Sequence, residues 1–355
     1  NHQTTELIKR LSLAIGVTGY SGPNNIHDLI AAEFVPLTDQ VERDRIGSVV
    51  GLKSGMGKPG KPKRKIMLAA HLDEIGGIVT AIDDNVLRFS QVGWLDARVL
   101  MGQEVMVHGW RDLPGVIGSI PPHFLPPGER TDRVDLAKMH IDVGLSPAQL
   151  KKLVQVGDLI SFRQEPVVLQ NSLISGKSLD NRVSLAAVVI CLQELVKRRH
   201  VWDVYAVATA DEEWGRYVGA TTQAYAVQPD VALVIDVTFA DVDEFDVKLG
   251  KGPVLALGPS NNAVIRQRLA DICQKLDWPY QSETVASGAG TDAFAIEVSR
   301  EGVPTLLVSI PSRNMHSPVE IVDPKDVDRT GRLLAEFIAG LDETFVESLI
   351  PVRSD

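Results

Sequence analysis

V-Y-A-V-A-T-A-D-E-E-W-G-R-Y-V-G-A, residues 204–220, decides the fold because an apolar run changes abruptly into three acids and a glycine turn. The apolar part suits a strand covered on both faces, and in open α/β sheets the ligand crevice lies beyond the carboxyl ends of such strands. Glu212 and Glu213 fall at this end, and neighbours in extended chain point to opposite sides. One glutamate would then bind a metal while the other transfers protons. A solvated acidic strand end, or the first turn of a helix, is the alternative.

Length and composition indicate a soluble globular protein with two domains, or one domain with a large insertion. The chain has 355 residues, more than one core usually organises, with 44% hydrophobic and 23% charged residues. A net charge of -10 argues against nucleic acid and anionic membranes as partners. No apolar stretch approaches the ~20 residues that span a bilayer. Two cysteines give no disulfide framework and the first residues lack a signal-peptide layout, so we expect a cytoplasmic protein.

A second buried strand, predicted over residues 66–70, ends in H-L-D-E-I-G-G. His71 and Asp73 are two positions apart and therefore on one side of an extended chain. Asp73 can accept the second imidazole N–H of His71 and fix its tautomer. A lone histidine after a strand is usually structural, but the aspartate partner favours a metal ligand.

Residues 78–169 differ from the rest of the chain in their sequence pattern, with short β-type runs separated by glycine and proline. Helical periodicity is nearly absent there, apart from residues 147–154. This pattern indicates a small barrel or sandwich inserted into an α/β chain. We therefore predict a doubly wound, mostly parallel α/β catalytic domain formed by residues 1–77 and 170–355. The proline-rich segment at residues 121–127 should be an exposed loop.

The α/β pattern resumes with G-K-S-L-D-N-R-V, which places Asp180 a few residues before a helix predicted over residues 184–199. Asp180 could do no more than complement the dipole of that helix. A strand predicted over residues 231–235 is followed by Asp236. The last buried strand leads into P-S-R-N-M-H-S-P, with His316 in the loop.

The side chains at these strand ends supply two imidazoles and three carboxylates, a set that fits two metal ions. Asp180 would bridge the two ions. His71 and either Asp236 or Glu213 would complete the ligand set of one ion, and His316 and the remaining carboxylate would complete that of the other. Three protein ligands and a shared water give each ion the composition of hydrolytic zinc sites. Each residue alone has a structural explanation. Five at one sheet edge are harder to explain, because burying unpaired carboxylates costs stability.

Along essentially its whole length the chain resembles the M42 glutamyl-aminopeptidase-like metallopeptidases, also called cellulase-M-like proteins. The motifs occur in the expected order: A-A-H-L-D-E-I-G-G, P-P-H with I-D-V-G, K-S-L-D-N-R-V, D-E-E, V-I-D-V-T, G-A-G-T-D-A and M-H-S-P-V-E. The resemblance implies five metal ligands with Asp180 bridging: His71, Asp180, Glu213, Asp236 and His316. It further implies that Glu212 is the general base and that Asp73 orients His71.

The resemblance also implies an activity and an assembly. We expect an aminopeptidase that acts on short peptides with two divalent ions, zinc or cobalt. The inserted domain would pair subunits into dimers, which close into a twelve-subunit shell. A metal-independent endoglucanase-type glycosidase stays an alternative, although adjacent glutamates suit it poorly, as does a metal-binding protein without catalysis. Two departures border the pocket: one extra residue in W-G-R-Y-V-G-A after Glu213, and Asn314 where the family commonly has an aromatic.

Overall fold

The computed structural model describes residues 2–124, 126–128, 134–243, 246–286 and 290–349. Within these ranges the helices are α1 His2–Leu13, α2 Ile26–Phe34, α3 Pro147–Leu153, α4 Leu179–Val196, α5 Val218–Val227, α6 Ala263–Lys275, α7 Asp292–Glu297 and α8 Pro324–Ala339. The strands are β1 Gln40–Arg43, β2 Val49–Lys53, β3 Lys65–His71, β4 Gly76–Asp83, β5 Val86–Val92, β6 Glu104–His108, β7 Asp112–Ser119, β8 Met139–Asp142, β9 Leu159–Phe162, β10 Val167–Val168, β11 Ile174–Gly176, β12 Asp203–Thr209, β13 Val231–Phe239, β14 Val254–Leu257, β15 Gln281–Thr284, β16 Thr305–Ser312 and β17 Glu320–Val322.

The central sheet has eight strands in the order β1-β2-β12-β3-β13-β16-β14-β15. Its middle strands β12, β3, β13 and β16 are parallel to their neighbours within that group. Both faces are covered, which explains the continuous apolar runs. On β3, Ile66 and Leu68 pack into the core shared with α1, α4 and α8, whereas Met67 and Ala69 face the core shared with α5 and α7. The predicted doubly wound α/β fold is thus confirmed.

Helix α4 is buried around nearly its whole circumference, since it lies between the central sheet and α8. Such an environment requires apolar residues on every side of the helix. The helix begins at Leu179 rather than near residue 184, so the prediction that Asp180 precedes it was wrong. Asp180 and Asn181 nevertheless have non-helical dihedral angles (φ -77°, ψ 103° for Asp180), and the peptide bond between them is cis.

The inserted segment forms a closed six-stranded antiparallel barrel in the order β4-β5-β8-β7-β6-β9. Its interior is filled by apolar side chains such as Leu87, Val107 and Ile141. Closure leaves these strands without free edges, which a sandwich would expose. The barrel strands run from Gly76 to Phe162, and domain borders at 77/78 and 169/170 stay a prediction. A small sheet, β10-β11-β17, contacts helices α1 and α4.

Two predicted strand ends differ from the structure. Strand β13 continues to Phe239, so Asp236 lies inside the strand rather than after it. Glu213 lies in a turn beyond the end of β12, not directly after the strand.

In the segment predicted as a loop, Pro122–Phe124 is a short 3-10 turn, and Leu125 lies outside the described residues. Gly288 and Ala289 of the G-A-G-T-D-A motif also lie outside the described residues. No helix in the described part of the chain is long and apolar enough to cross a bilayer.

Candidate metal centre

The polar residues from separate parts of the sequence converge at the carboxyl edge of the central sheet. His71 ends β3, and Glu212 and Glu213 lie in the turn after its neighbour β12. Asp236 belongs to β13, the neighbour on the other side. Parallel strands end at the same sheet edge, so three adjacent strands deliver their polar residues to one place. The start of α4 and the loop after β16 add Asp180 and His316.

The Asp180 carboxylate lies between the two imidazoles. Its Oδ1 is 3.1 Å from Nε2 of His71, and its Oδ2 is 3.5 Å from Nε2 of His316. Each oxygen therefore faces a different histidine, which is the arrangement that a carboxylate bridging two ions requires.

The other three carboxylates divide between the same two imidazoles. Nε2 of His71 lies 3.8 Å from Oδ1 of Asp236 and 3.7 Å from Oε2 of Glu212, whereas Nε2 of His316 lies 3.9 Å from Oε2 of Glu213. The two adjacent glutamates thus point at different histidines, as expected from the sequence, although they lie in a turn and not in extended chain. Among the described residues, two sets of side chains are compact enough to hold an ion, one with His71, Glu212 and Asp236 and one with His71, Asp180 and Glu213. Glu212 is accordingly close enough to the other polar side chains to be a metal ligand itself.

The cluster is short of positive charge. Burial raises the pKa of Glu212 and of Glu213, and it raises the pKa of Asp236 to about 7. Burial acts in the same direction on Asp180, but hydrogen bonds with His316 and His71 outweigh it and lower its pKa. Among the described residues, Oε1 of Glu213 is buried without a hydrogen-bond partner. Carboxylate and imidazole donors, an orphaned carboxylate oxygen and a deficit of cations together fit divalent metal ions.

Asp73 holds the turn that carries both glutamates, a role that the sequence did not suggest. Its carboxylate accepts hydrogen bonds from the backbone N–H of Glu212 (3.1 Å) and of Glu213 (3.2 Å), and from Oγ1 of Thr18 (2.7 Å). Nδ1 of His71 lies 3.2 Å from the backbone carbonyl oxygen of Asp73 and 3.5 Å from Oδ1. The expected orientation of His71 by Asp73 therefore involves the backbone carbonyl more closely than the carboxylate.

Glu320, at the start of β17, connects the two elements that carry Asp180 and His316. It is 1% exposed. Its Oε2 accepts a hydrogen bond from the backbone N–H of Asp180 (2.9 Å), and its Oε1 accepts one from the backbone N–H of His316 (3.0 Å). Burial, followed by the charge of Asp180, raises the pKa of Glu320. One carboxylate thus fixes the backbone at two candidate ligands that are far apart in sequence.

A buried ionic network lies beneath the cluster. Glu74 accepts hydrogen bonds from Nζ of Lys177 (2.7 Å), from the backbone N–H of Gly16 (2.7 Å) and from the Ser178 hydroxyl. Arg182 lies 3.8 Å from the same carboxylate and donates to the carbonyl oxygens of residues 11 and 14. Burial disfavours the charged form of Glu74, but Lys177 and Arg182 outweigh it and lower its pKa. The motifs H-L-D-E and K-S-L-D-N-R contain these residues, but only the fold shows that they pair.

A cavity of about 430 Å³ opens in front of the cluster, within the usual size range of small-molecule sites. Its described lining combines the six polar residues of the cluster with apolar side chains, including Val237, Leu307 and Met315, and with one further acid, Glu283. Trp94, which follows the barrel strand β5, also borders it. The site therefore has room for a small organic molecule in front of the polar cluster.

Comparison with known proteins places these features in a family. The family model described as M42 glutamyl aminopeptidase matches residues 47–333. A lysyl aminopeptidase of Pyrococcus furiosus is 33% identical over 92% of this chain and 94% of its own. The crystal structure of a TET aminopeptidase from a marine sediment archaeon of the Thaumarchaeota matches with a TM-score of 0.90 and 33% identity, over 98% of this chain and 99% of the other. The TET1 peptidase of Pyrococcus horikoshii matches with a TM-score of 0.82 and 28% identity, over 95% of this chain and 100% of the other. That peptidase is described as able to assemble into a tetrahedron or a large octahedral shell.

Proposed function

The chain belongs to the M42 glutamyl aminopeptidase family and is a peptide hydrolase, and from this premise we propose that it is a di-metal aminopeptidase that removes N-terminal residues from short peptides. The observation that supports two ions is the position of Asp180, with one carboxylate oxygen directed at each histidine. In this proposal His71, Asp236 and Asp180 would hold one ion. His316, Glu213 and Asp180 would hold the other. Zinc and cobalt both accept such nitrogen and oxygen donors.

Divalent ions at these positions supply Lewis acidity, which favours the attack of water on a peptide carbonyl. The chain itself supplies the proton transfers. Glu212 takes a proton from the attacking water at its carboxylate and delivers that proton to the leaving amine, a contribution commonly worth ~10²–10⁴ in rate. Burial raises the pKa of Glu212, which makes its carboxylate a stronger base toward the proton of the attacking water. Asp73 keeps Glu212 in place through the backbone N–H of the turn.

Turnover of a panel of aminoacyl-p-nitroanilides tests the proposal. We expect hydrolysis that a chelator abolishes and that zinc or cobalt restores, and we expect the same of an unblocked dipeptide. A β-glucan serves as the control substrate because some structures of this fold are described as endoglucanases. Chelator-resistant cleavage of the β-glucan without peptide hydrolysis would overturn the proposal in favour of a glycosidase.

We also propose that the barrel pairs two copies of the chain. Trp110 and Phe124, near the two ends of β7, are 82% and 74% exposed, and aromatic side chains are enriched at protein interfaces. The assembly of the TET1 peptidase supports a larger closed shell. Light scattering coupled to size exclusion distinguishes the cases: a monodisperse monomer at micromolar concentration contradicts both, and a stable dimer contradicts the shell alone. A cytoplasmic location remains part of the proposal, supported by Cys191 and Cys273, which are both unpaired and buried.

A further inference from the structure

The cavity continues past the candidate metal centre to a carboxylate that the proposed chemistry does not use. Glu283, on the edge strand β15, lines this part of the cavity and is half-buried. Its Oε2 accepts a hydrogen bond from Oγ1 of Thr238 at 2.7 Å. The described residues that line the cavity include no lysine and no arginine. Glu283 thus places a carboxylate in the pocket, and none of the described lining residues is a lysine or arginine that could pair with it.

The position of Glu283 relative to the metal centre follows from strand β13. Asp236 and Thr238 are two residues apart on this strand, so their side chains lie on the same side and are separated by about 7 Å along the chain. Thr238 holds the Glu283 carboxylate by its hydroxyl. The carboxylate therefore lies about one long side chain away from the place where a substrate would react. The four-carbon stem of lysine spans a distance of this order.

Part of the cavity wall is apolar. Leu307 and Val285 line it on the face of the sheet that also carries Met67 and Ala69. Such walls can contact the methylene stem of a long side chain, while its charged end reaches a polar group. An acidic side chain in this pocket would bring two negative charges together, and a short aliphatic side chain would leave Glu283 with Thr238 but without a cationic partner.

We propose that Glu283 determines specificity, and that the pocket selects peptides whose N-terminal residue is lysine or arginine. This inference rests on the proposed function and deepens it. Family membership does not decide the point, because the family is described by a glutamyl activity while the Pyrococcus furiosus relative is named for a lysyl activity. The carboxylate of Glu283, its Thr238 support and the apolar walls carry the assignment to a cationic side chain.

The test compares lysyl- and norleucyl-p-nitroanilide, two substrates of similar stem length that differ in the terminal charge. We expect the metal-loaded wild-type protein to prefer the lysyl substrate. Glu283→Gln should lower the ratio of the two kcat/KM values roughly 10–100-fold, because the amide oxygen can still accept a hydrogen bond from the lysine ammonium but no longer carries the opposite charge. Thr238→Val, which removes the support of Glu283, should lower the same ratio by a smaller factor. Glu301→Gln removes an exposed negative charge elsewhere in the chain and should leave the ratio unchanged.

Two outcomes would overturn the inference. The wild-type protein could prefer norleucyl or glutamyl substrates, or the ratio could be unchanged in Glu283→Gln, whether turnover stays the same or falls equally for all substrates. Equal loss would mean that Glu283 binds the α-ammonium group common to every substrate.

Calorimetric binding of lysinamide and norleucinamide to the same variants provides a readout independent of turnover. Selective binding of lysinamide that Glu283→Gln removes would support the inference even if no substrate were hydrolysed, and that combination would contradict only the proposed function. Equal binding of the two amides to the wild-type protein would overturn the inference.

Discussion

Replacement of Glu320 by alanine tests whether one carboxylate holds the two halves of the metal centre together. The substitution removes the acceptor of two backbone N–H groups, those of Asp180 and His316. An unsatisfied buried donor costs about 1–3 kcal/mol, so Glu320→Ala should lower the free energy of unfolding by about 2–6 kcal/mol. The lower half of this range is expected, because the His316 side chain is 34% exposed and water can reach its surroundings. The substitution also removes the repulsion between Glu320 and Asp180, which makes the expected loss of stability smaller.

Two measurements separate this role from a general loss of packing. Urea unfolding in excess chelator gives the stability of the metal-free chain, and competition with a chromophoric chelator gives the metal affinity. We expect Glu320→Ala to bind metal roughly 10–100-fold more weakly, as is typical when groups that orient ligands are removed. Glu320→Gln keeps one acceptor and should lie between the alanine variant and the wild type. Glu301→Ala, at an exposed position, is the control. Wild-type stability together with wild-type metal affinity in Glu320→Ala would refute the reasoning.

Three further predictions concern the centre itself. Asp180→Ala should strongly lower the metal content at both positions by elemental analysis, and unchanged content would exclude Asp180 as the bridge. Glu212→Gln should retain both ions and lower turnover by a factor of ~10²–10⁴, whereas Glu213→Gln should lose an ion. Wild-type turnover in Glu212→Gln would contradict the assignment of Glu212 as the base. Loss of an ion in Glu212→Gln would make Glu212 a ligand. In the metal-free protein, burial raises the pKa of Asp236 from 3.8 to about 7, so the folded state binds more protons than the unfolded state between these values and its stability should fall as pH rises from about 4 to 7. Thermal melting at pH 5 and pH 7.5 in chelator checks this, and a melting temperature that rises over the interval would count against it.

The fold was predictable because its signals are local. The apolar runs at β3, β12, β13 and β16 follow from burial on both faces of a parallel sheet, and the glycine and proline punctuation of the insertion follows from short antiparallel strands. The sequence could not decide between a barrel and a sandwich, because both have the same inward and outward alternation of side chains. Closure depends on the pairing of β4 with β9, which lie far apart in the chain.

The candidate site was predictable where side chains follow strands and less so where a turn or helix start sets the geometry. Strand alternation separated Glu212 from Glu213, yet the turn that holds them depends on the Asp73 carboxylate. Glu320 carries no periodic or spacing signal, since its partners are backbone N–H groups of distant residues. Glu283 was likewise missed, because its role depends on which side chains face the cavity.

The candidate ligands of the metal centre lie far apart in the sequence, and this separation determines when the centre can form during synthesis. His71 precedes His316 by 245 positions, and the whole barrel lies between β3 and the start of α4. At about 5–20 residues per second, a ribosome needs roughly 12–50 s to add the second imidazole after the first. Throughout this interval the nascent chain carries an incomplete ligand set, and a prematurely terminated product that lacks the loop after β16 keeps only one of the two histidines. The order of the residues thus delays the proposed hydrolytic centre until nearly the whole protein has been made.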